Sequence, residues 1–332
     1  MPWWRLPSGL ARDLRPQSGM TDTTADLFTT APASSAAQVA YGLVDGATLG
    51  TLAQRSDLRG AAQFGIHLTC VAATGILVWL ALPVWYLLIP AMALHGVTLV
   101  TMFAPMHECV HRTAFASRRA NDAVGWIAGV LGFYNSTYYR YFHAWHHRYT
   151  QDPARDPELM FPKAADRLAY WKEITGLQFW YRRAIDYPAL ALGRTAGLPF
   201  VPDRARHEIA VSMSFQLMIY LAAAVSIGMG FSAALYFWFL PVLLAQPLLR
   251  AVLITEHTLC SEDQNGLSNT RTTLASLPIR LLMWNMPYHA EHHLFPAVPF
   301  HQLPELHLKL RDRIVHVAPG YIATNRAILR SL

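Results

Sequence analysis

The chain has 332 residues, of which 53% are hydrophobic and 14% charged, with a formal net charge of +6. A charged share that far below the roughly 25% of soluble proteins argues against an ordinary soluble enzyme and for a membrane protein. The basic excess suits anionic headgroups or an anionic substrate, and no nucleic-acid partner is expected.

Residues 1–58 are rich in Ala, Thr, Ser and Pro and read as a mobile N-terminal segment without a signal peptide. Residues 59–332 read as one domain. No Asp, Glu, Lys or Arg occurs from Gly60 to His107, and none from Ile209 to Leu249. A spanning helix needs about 20 apolar residues, so each stretch holds two. The first predicts spans near Phe64–Leu82 and Val84–Ala104, turning at Pro83. The second predicts spans near Ala210–Met229 and Ala233–Ile254, turning at Gly228, Gly230 and Ser232. The expected fold is an all-α membrane protein with four transmembrane helices in two hairpins.

Between and after the spans, three shorter elements are expected. Asn121–Tyr134 is apolar but too short to span, which predicts an interfacial or re-entrant helix. Trp171–Arg183 mixes aromatic and basic residues and predicts a helix at the membrane surface. Pro299–Ile314 places Leu303, Leu306 and Leu310 on one stripe. Of the 27 Lys and Arg residues, five precede residue 60, fourteen lie between Arg112 and Arg206, and eight run from Arg250 onward. Neither hairpin turn carries one, so both termini and the central segment are expected in the cytoplasm. Cys70, Cys109 and Cys260 form no CxxC pair and suggest no disulfide framework.

Eight of the fifteen histidines fall into three clusters: His107-x-x-x-His111, His143-x-x-His146-His147 and His289-x-x-His292-His293. Neutral imidazole ligates iron, copper, nickel and zinc. Helical residues three and four apart share a face, so each cluster aims its rings together. Eight such rings are too many for one four-coordinate ion, which predicts a two-metal site. Adjacent His146 and His147 diverge on a helix and could serve different metals. Ligand histidines usually donate their second N–H to a carboxylate or carbonyl; Asp152, Asp156, Glu256 and Asn285 are candidates for that support. His67 and His95 lie within spans and are expected to make interhelical hydrogen bonds. His207, His301, His307 and His316 read as surface or interfacial.

Two rival readings fit parts of the pattern. HECVH matches the HExxH zinc-protease motif, with Glu108 as the would-be base, but leaves the other clusters unused. A metal transporter would hold its ligands near the bilayer midplane, whereas these clusters adjoin the span ends.

The three boxes in this order, in the texts HECVHRTAF, HHRYTQDPARDPEL, NTRTT and WNMPYHAEHHLFP, resemble the membrane fatty acid desaturase superfamily, most closely its bacterial desaturases. The similarity covers roughly residues 60–315. The superfamily also holds alkane and acyl hydroxylases, carotenoid oxygenases and a 1-alkene-forming fatty acid decarboxylase. The resemblance implies a cytosolic helical cap holding two irons. It implies metal ligation by the eight boxed histidines and, after the fourth span, by His257. It implies O₂-dependent oxidation of an unactivated C–H bond of a fatty acyl chain, most readily to a double bond. Such a bond offers no acidic proton and no leaving group, so a redox metal must attack it. The electron donor is expected to be a separate protein such as ferredoxin or cytochrome b5. The expected location is the bacterial inner membrane, with the site facing the cytoplasm. Trp79, Met92, Met102 and Met218 are candidates to line the acyl tunnel.

Overall fold

The computed structural model describes residues 42–160 and 163–332. The N-terminal segment expected to be mobile lies, up to residue 41, outside the described residues. Its remainder carries α1 (Gly46–Leu52), started by Asp45, whose carboxylate accepts from the Thr48 N–H at 2.9 Å. Leu52 is buried there in one cluster with Leu294, Leu303 and Leu306.

Four helices among the described residues are long and apolar enough to cross a membrane. The first is α2 (Asp57–Ala81), capped by Ser56, whose Oγ accepts from the Arg59 N–H at 3.3 Å. The second joins α3 (Trp85–Val100) to α4 (Phe103–Val110) across a short break. Pro105 has no N–H to offer the Thr101 carbonyl, which instead accepts from the Ala104 N–H at 2.9 Å; the helix tightens there rather than continuing regularly. The third is α9 (Ala205–Gly228), and the fourth runs from a π turn at Leu235–Phe239 into α10 (Leu240–Leu253). All four overlap the spans predicted from the charge-free stretches.

α3 packs against both α2 and α10. Its contact with α10 depends on Gly96, because a Cβ there would overlap the Pro241 carbonyl and stand 2.8 Å from the Ala245 Cβ. Such close backbone approach is how small residues join helices in lipid. The expected interhelical bonds are present. His67 Nε2 donates to the Thr98 carbonyl at 2.8 Å and its Nδ1 accepts from Trp284 Nε1 at 3.3 Å. His95 bridges Thr74 Oγ1 at 2.8 Å and the Phe237 carbonyl at 3.0 Å. The outer faces expose Trp79, Leu80, Trp85, Phe215 and Leu221, a surface suited to lipid rather than water.

After the second span come α5 (Arg118–Gly132) and α6 (Ser136–Tyr149), joined through Phe133 at φ +61°. Ser117 and Asn135 cap them. The single surface helix predicted over Trp171–Arg183 is two helices, α7 (Arg167–Ile174) and α8 (Leu177–Ala191). Gly176 divides them at φ +70°, pressed so close to α10 that a Cβ would meet Gln246 Cγ at 2.8 Å. α8 then packs on α9. Beyond α10, strands β1 (Arg271–Thr273) and β2 (His316–Ala318) pair in parallel, a small addition to the expected all-α fold. Helices α11 (Leu277–Leu282), α12 (His289–Leu294), α13 (Leu303–Leu310) and α14 (Tyr321–Ser331) complete the chain. The stripe of Leu303, Leu306 and Leu310 is buried.

Candidate metal centre

Four segments deliver the predicted histidines to one place. α4 supplies His107, and His111 follows at its end. α6 supplies His143, His146 and His147; α12 supplies His289, His292 and His293. His257 comes from the turn after α10. The eight boxed histidines are buried, and His257 is half-buried.

The rings form two adjoining groups. In His107, His111, His143, His147 and His292, one nitrogen of each lies within 4.8 Å of all the others, and His146, His257 and His293 meet the same limit. His289 joins the second group, its Nε2 3.1 Å from His293 Nε2. The HxxHH spacing produces this division. His143 and His147, one turn apart, turn their Nε2 atoms to within 3.0 Å. Their neighbour His146, rotated round the helix, faces His257 and His293 instead, with ring centroids 5.0 Å from each. Across the site, His292 Nε2 stands 3.1 Å from His111 Nε2.

The donor set fits metal ions. Both nitrogens of His107, Nε2 of His146 and His257, and Nδ1 of His289 and His292 are buried without a hydrogen-bond partner. Each such orphan costs about 1–3 kcal/mol, so a cluster of them gains stability from an electrophile at its centre. An all-imidazole set suits iron, copper, nickel or zinc. Burial, and then the neighbouring His146, pulls His257 and His292 down to about 3, which keeps both rings in the neutral, ligating form.

His146 is the exception. Burial alone would lower it, but the Asp156 and Glu158 carboxylates outweigh that and hold it up at about 9. Of the candidate supports, Asp156 reaches a ring: its Oδ1 accepts from His146 Nδ1 at 2.9 Å, leaving Nε2 to face the group. Backbone N–H groups of Gln151 and Glu158 each donate to the same carboxylate at 2.9 Å.

The other candidate supports divide. Glu256 stands beside the site, with Oε2 3.6 Å from His289 Nε2. Asp152 does not reach a histidine. It accepts from Arg155 Nε at 2.7 Å and Gln264 Nε2 at 3.2 Å, because the turn that buries Asp156 points Asp152 the other way. Asn285 also stays apart, at φ +57°, accepting from Arg280 Nε at 3.1 Å and donating to the Phe300 carbonyl at 3.0 Å. It fixes the turn before α12 rather than a ring. Glu108, the base of the protease reading, is held by Thr113 Oγ1 at 2.5 Å and the Phe300 N–H at 3.0 Å.

Several supports escaped the sequence reading. Glu158 Oε2 lies 3.6 Å from His146 Nε2. The carbonyl of Asn269 accepts from His257 Nδ1 at 3.1 Å, and no side-chain pattern marks a carbonyl. Glu291, fully buried inside the third box, links Thr272 Oγ1 and His307 Nδ1 at 2.5 Å each, locking α12 to β1 and α13. An acid in the middle of HAEHH was the available signal. His307 is therefore part of this lock rather than a surface residue.

A cavity of about 480 Å³ opens onto the histidines, and His107, His143, His257 and His289 form part of its wall. Phe103, Tyr134, Tyr139 and Phe179 line it further. None of Trp79, Met92, Met102 and Met218 does. Trp79 and Met218 are 63% and 53% exposed on the lipid-facing surface, while Met92 and Met102 are packed in the interior.

The family model for fatty acid desaturases matches residues 42–325. An sn-1 oleoyl-lipid 12-desaturase of Picosynechococcus sp. is 24% identical over 269 residues, 74% of this chain and 76% of that protein. The dihydrorhizobitoxine desaturase of Bradyrhizobium elkanii is 26% identical, over 79% of this chain and 75% of its own. A fatty acid conjugase of Calendula officinalis is 23% identical, over 70% and 68%. With a match across most of its length and four helices of spanning length and apolarity, the chain is an integral membrane oxidoreductase that belongs to the fatty acid desaturase family.

Proposed function

We propose that this protein is an O₂-dependent di-iron desaturase that introduces a double bond into a fatty acyl chain. One observation carries the reading: nine imidazoles converge in two adjoining groups, and four of them stand on the wall of one cavity. The eight boxed histidines and His257 would hold the two irons, five rings to one and four to the other. Bound iron supplies the redox chemistry that an unactivated C–H bond requires.

The chain's own residues do the rest. Asp156 accepts from Nδ1 of His146 and so turns Nε2 toward the group. Glu291, through Thr272 and His307, fixes the helix that carries three of the nine rings. The aromatic wall of Phe103, Tyr134, Tyr139 and Phe179 excludes water and positions the chain. The spans form two hairpins, with both termini and the histidines on the cytoplasmic face of a bacterial inner membrane. There a separate donor, ferredoxin or cytochrome b5, delivers electrons to a basic surface.

Comparison of total fatty acids by mass spectrometry, with and without expression, tests the reading. A new internal double bond that requires O₂ is the expected product. A hydroxy acid would make the enzyme a hydroxylase, and a terminal alkene one carbon shorter a decarboxylase. No change, from protein loaded with iron and given a competent donor, would sink the acyl assignment.

A further inference from the structure

Arg112 directly follows His111, at φ +60° in the left-handed region. Helix ends commonly take that conformation, most readily as glycine, and a side chain there is disfavoured. The guanidinium accounts for the arginine. Its Nε and Nη2 donate to Asp122 Oδ1 at 3.2 and 3.1 Å, and Nη2 also donates to Oδ2 at 3.2 Å. Arg140 Nη2 donates to the same Oδ1 at 2.7 Å. The two arginines are only 9% and 5% exposed. Among the described residues Asp122 is the one carboxylate within ion-pair reach of either, and Arg140 Nε is buried without a hydrogen-bond partner. Without Asp122, two buried like charges would face each other.

The three residues come from three segments. Arg112 closes the first histidine box, past the end of α4. Arg140 precedes His143 and His147 on α6 by three and seven residues, a spacing that puts all three on one face. Asp122 lies on α5, on one face with Gly125 and Gly129. That face is pressed against both neighbours. A Cβ on Gly125 would stand 2.8 Å from the Cys109 Cβ of α4, and one on Gly129 would stand 2.6 Å from the Tyr134 carbonyl oxygen, just ahead of α6. Asn121 fastens the loop between α4 and α5, its Nδ2 donating to the Phe115 and Ser117 carbonyls at 2.8 and 2.9 Å. α5 is therefore a brace, and Asp122 is the point where both boxes attach to it.

We propose that Asp122 is a positioning residue for the five-ring group. The two boxes that it joins supply four of the five rings, His107, His111, His143 and His147. Asp122 acts on them through Arg112 and Arg140, and so sets the first box against the second. This rests on those rings binding a metal.

The test titrates metal-free, purified full chain in detergent with Co²⁺ alone, followed by the visible absorption that reports the ion's coordination. The parent should bind two ions. Asp122→Asn should weaken one of them about tenfold or more, the size typical when support behind a ligand is removed, and should alter its absorption bands. Asp122→Glu, which keeps a carboxylate, should recover part of the loss. Arg112→Gly relieves the left-handed backbone but removes the guanidinium, so it should lose affinity as well; it decides the matter alone if Asp122→Asn does not fold. The double variant should lose less than the sum of the two, because both break one contact. Gly96→Ala crowds the α3–α10 contact and gives the comparison for plain destabilisation: a lower unfolding temperature with both cobalt affinities unchanged. Parent-like affinities and bands in Asp122→Asn and Arg112→Gly, or an equal loss in Gly96→Ala, would overturn the positioning role and leave the metal reading standing. A parent chain that binds no cobalt would overturn both.

Discussion

Asp156→Asn tests whether the carboxylate that holds His146 also sets how well the histidine group binds iron. Asp156 is 4% exposed and receives three donors: His146 Nδ1 and the Glu158 N–H on Oδ1, and the Gln151 N–H on Oδ2, each at 2.9 Å. Asparagine keeps the volume but offers only one oxygen. With that oxygen toward His146 and Glu158, its NH₂ faces the Gln151 N–H, donor against donor. A buried donor left unpaired costs about 1–3 kcal/mol. The ring also loses its carboxylate, and removing such support typically weakens metal affinity about 10–100-fold, equivalent to roughly 1.4–2.7 kcal/mol.

The assay is competition for iron by a chelator of known affinity, read as metal per chain by mass spectrometry on purified protein. Affinity of the second histidine group is expected to fall within that range, with lower thermal stability. Asp152→Asn is the matched control: it lies four residues away and its carboxylate serves Arg155 and Gln264. It should bind iron like the parent. Equal iron affinity in Asp156→Asn and the parent would refute the assignment of Asp156 as the residue that orients His146.

Other outcomes follow from the same geometry. His111→Ala, His146→Ala and His293→Ala should each lower iron content and bring product below detection while the protein still inserts in the membrane; full activity in His146→Ala would contradict the di-iron reading. His301→Ala and His316→Ala, outside both groups, should keep product and iron. Gly96→Val should lower the unfolding temperature in detergent, since overpacking costs about 1–3 kcal/mol and the Pro241 carbonyl and Ala245 leave no room; an unchanged temperature would mean that α3 and α10 separate freely. Alkaline phosphatase fused after Leu82 or Gly230 should be active outside the cytoplasm, whereas activity after Asp166 would overturn the topology.

The spans were legible because lipid imposes one rule on long segments: no charge over about 20 residues. The convergence of the histidines was legible because side chains three and four apart share one face of a helix. Much of what holds them was not. Asp152 and Asp156 look alike in sequence, and only the turn between them decides which one His146 meets. Asn269 acts through a carbonyl that every residue possesses. The break between α7 and α8 required Gly176 to lie against Gln246, 70 residues away in the chain. The tunnel candidates failed for a similar reason. Trp79 and Met218 satisfy the apolar pattern of a span equally well on its lipid face, whereas the cavity draws on Phe103, buried inside the second span, and on Tyr134, Tyr139 and Phe179 from segments between the spans.

The distribution of rings explains why the second and third boxes both read HxxHH. The second box gives His143 and His147 to the five-ring group and His146 to the other. The third reverses this, giving His292 to the first group and His289 and His293 to the second. A pair at i and i+4 shares a face, while the adjacent histidine is turned by about 100°. Each box therefore straddles the boundary between groups, with opposite weighting. The consequence is mechanical. Neither α6 nor α12 can shift or rotate without moving rings in both groups, so the separation of the groups is fixed by two short helices crossing one interface. Glu291 and Asp156 lock those helices from outside. The two groups of rings should then be held as a unit, and loss of a ring from one group should disturb the other.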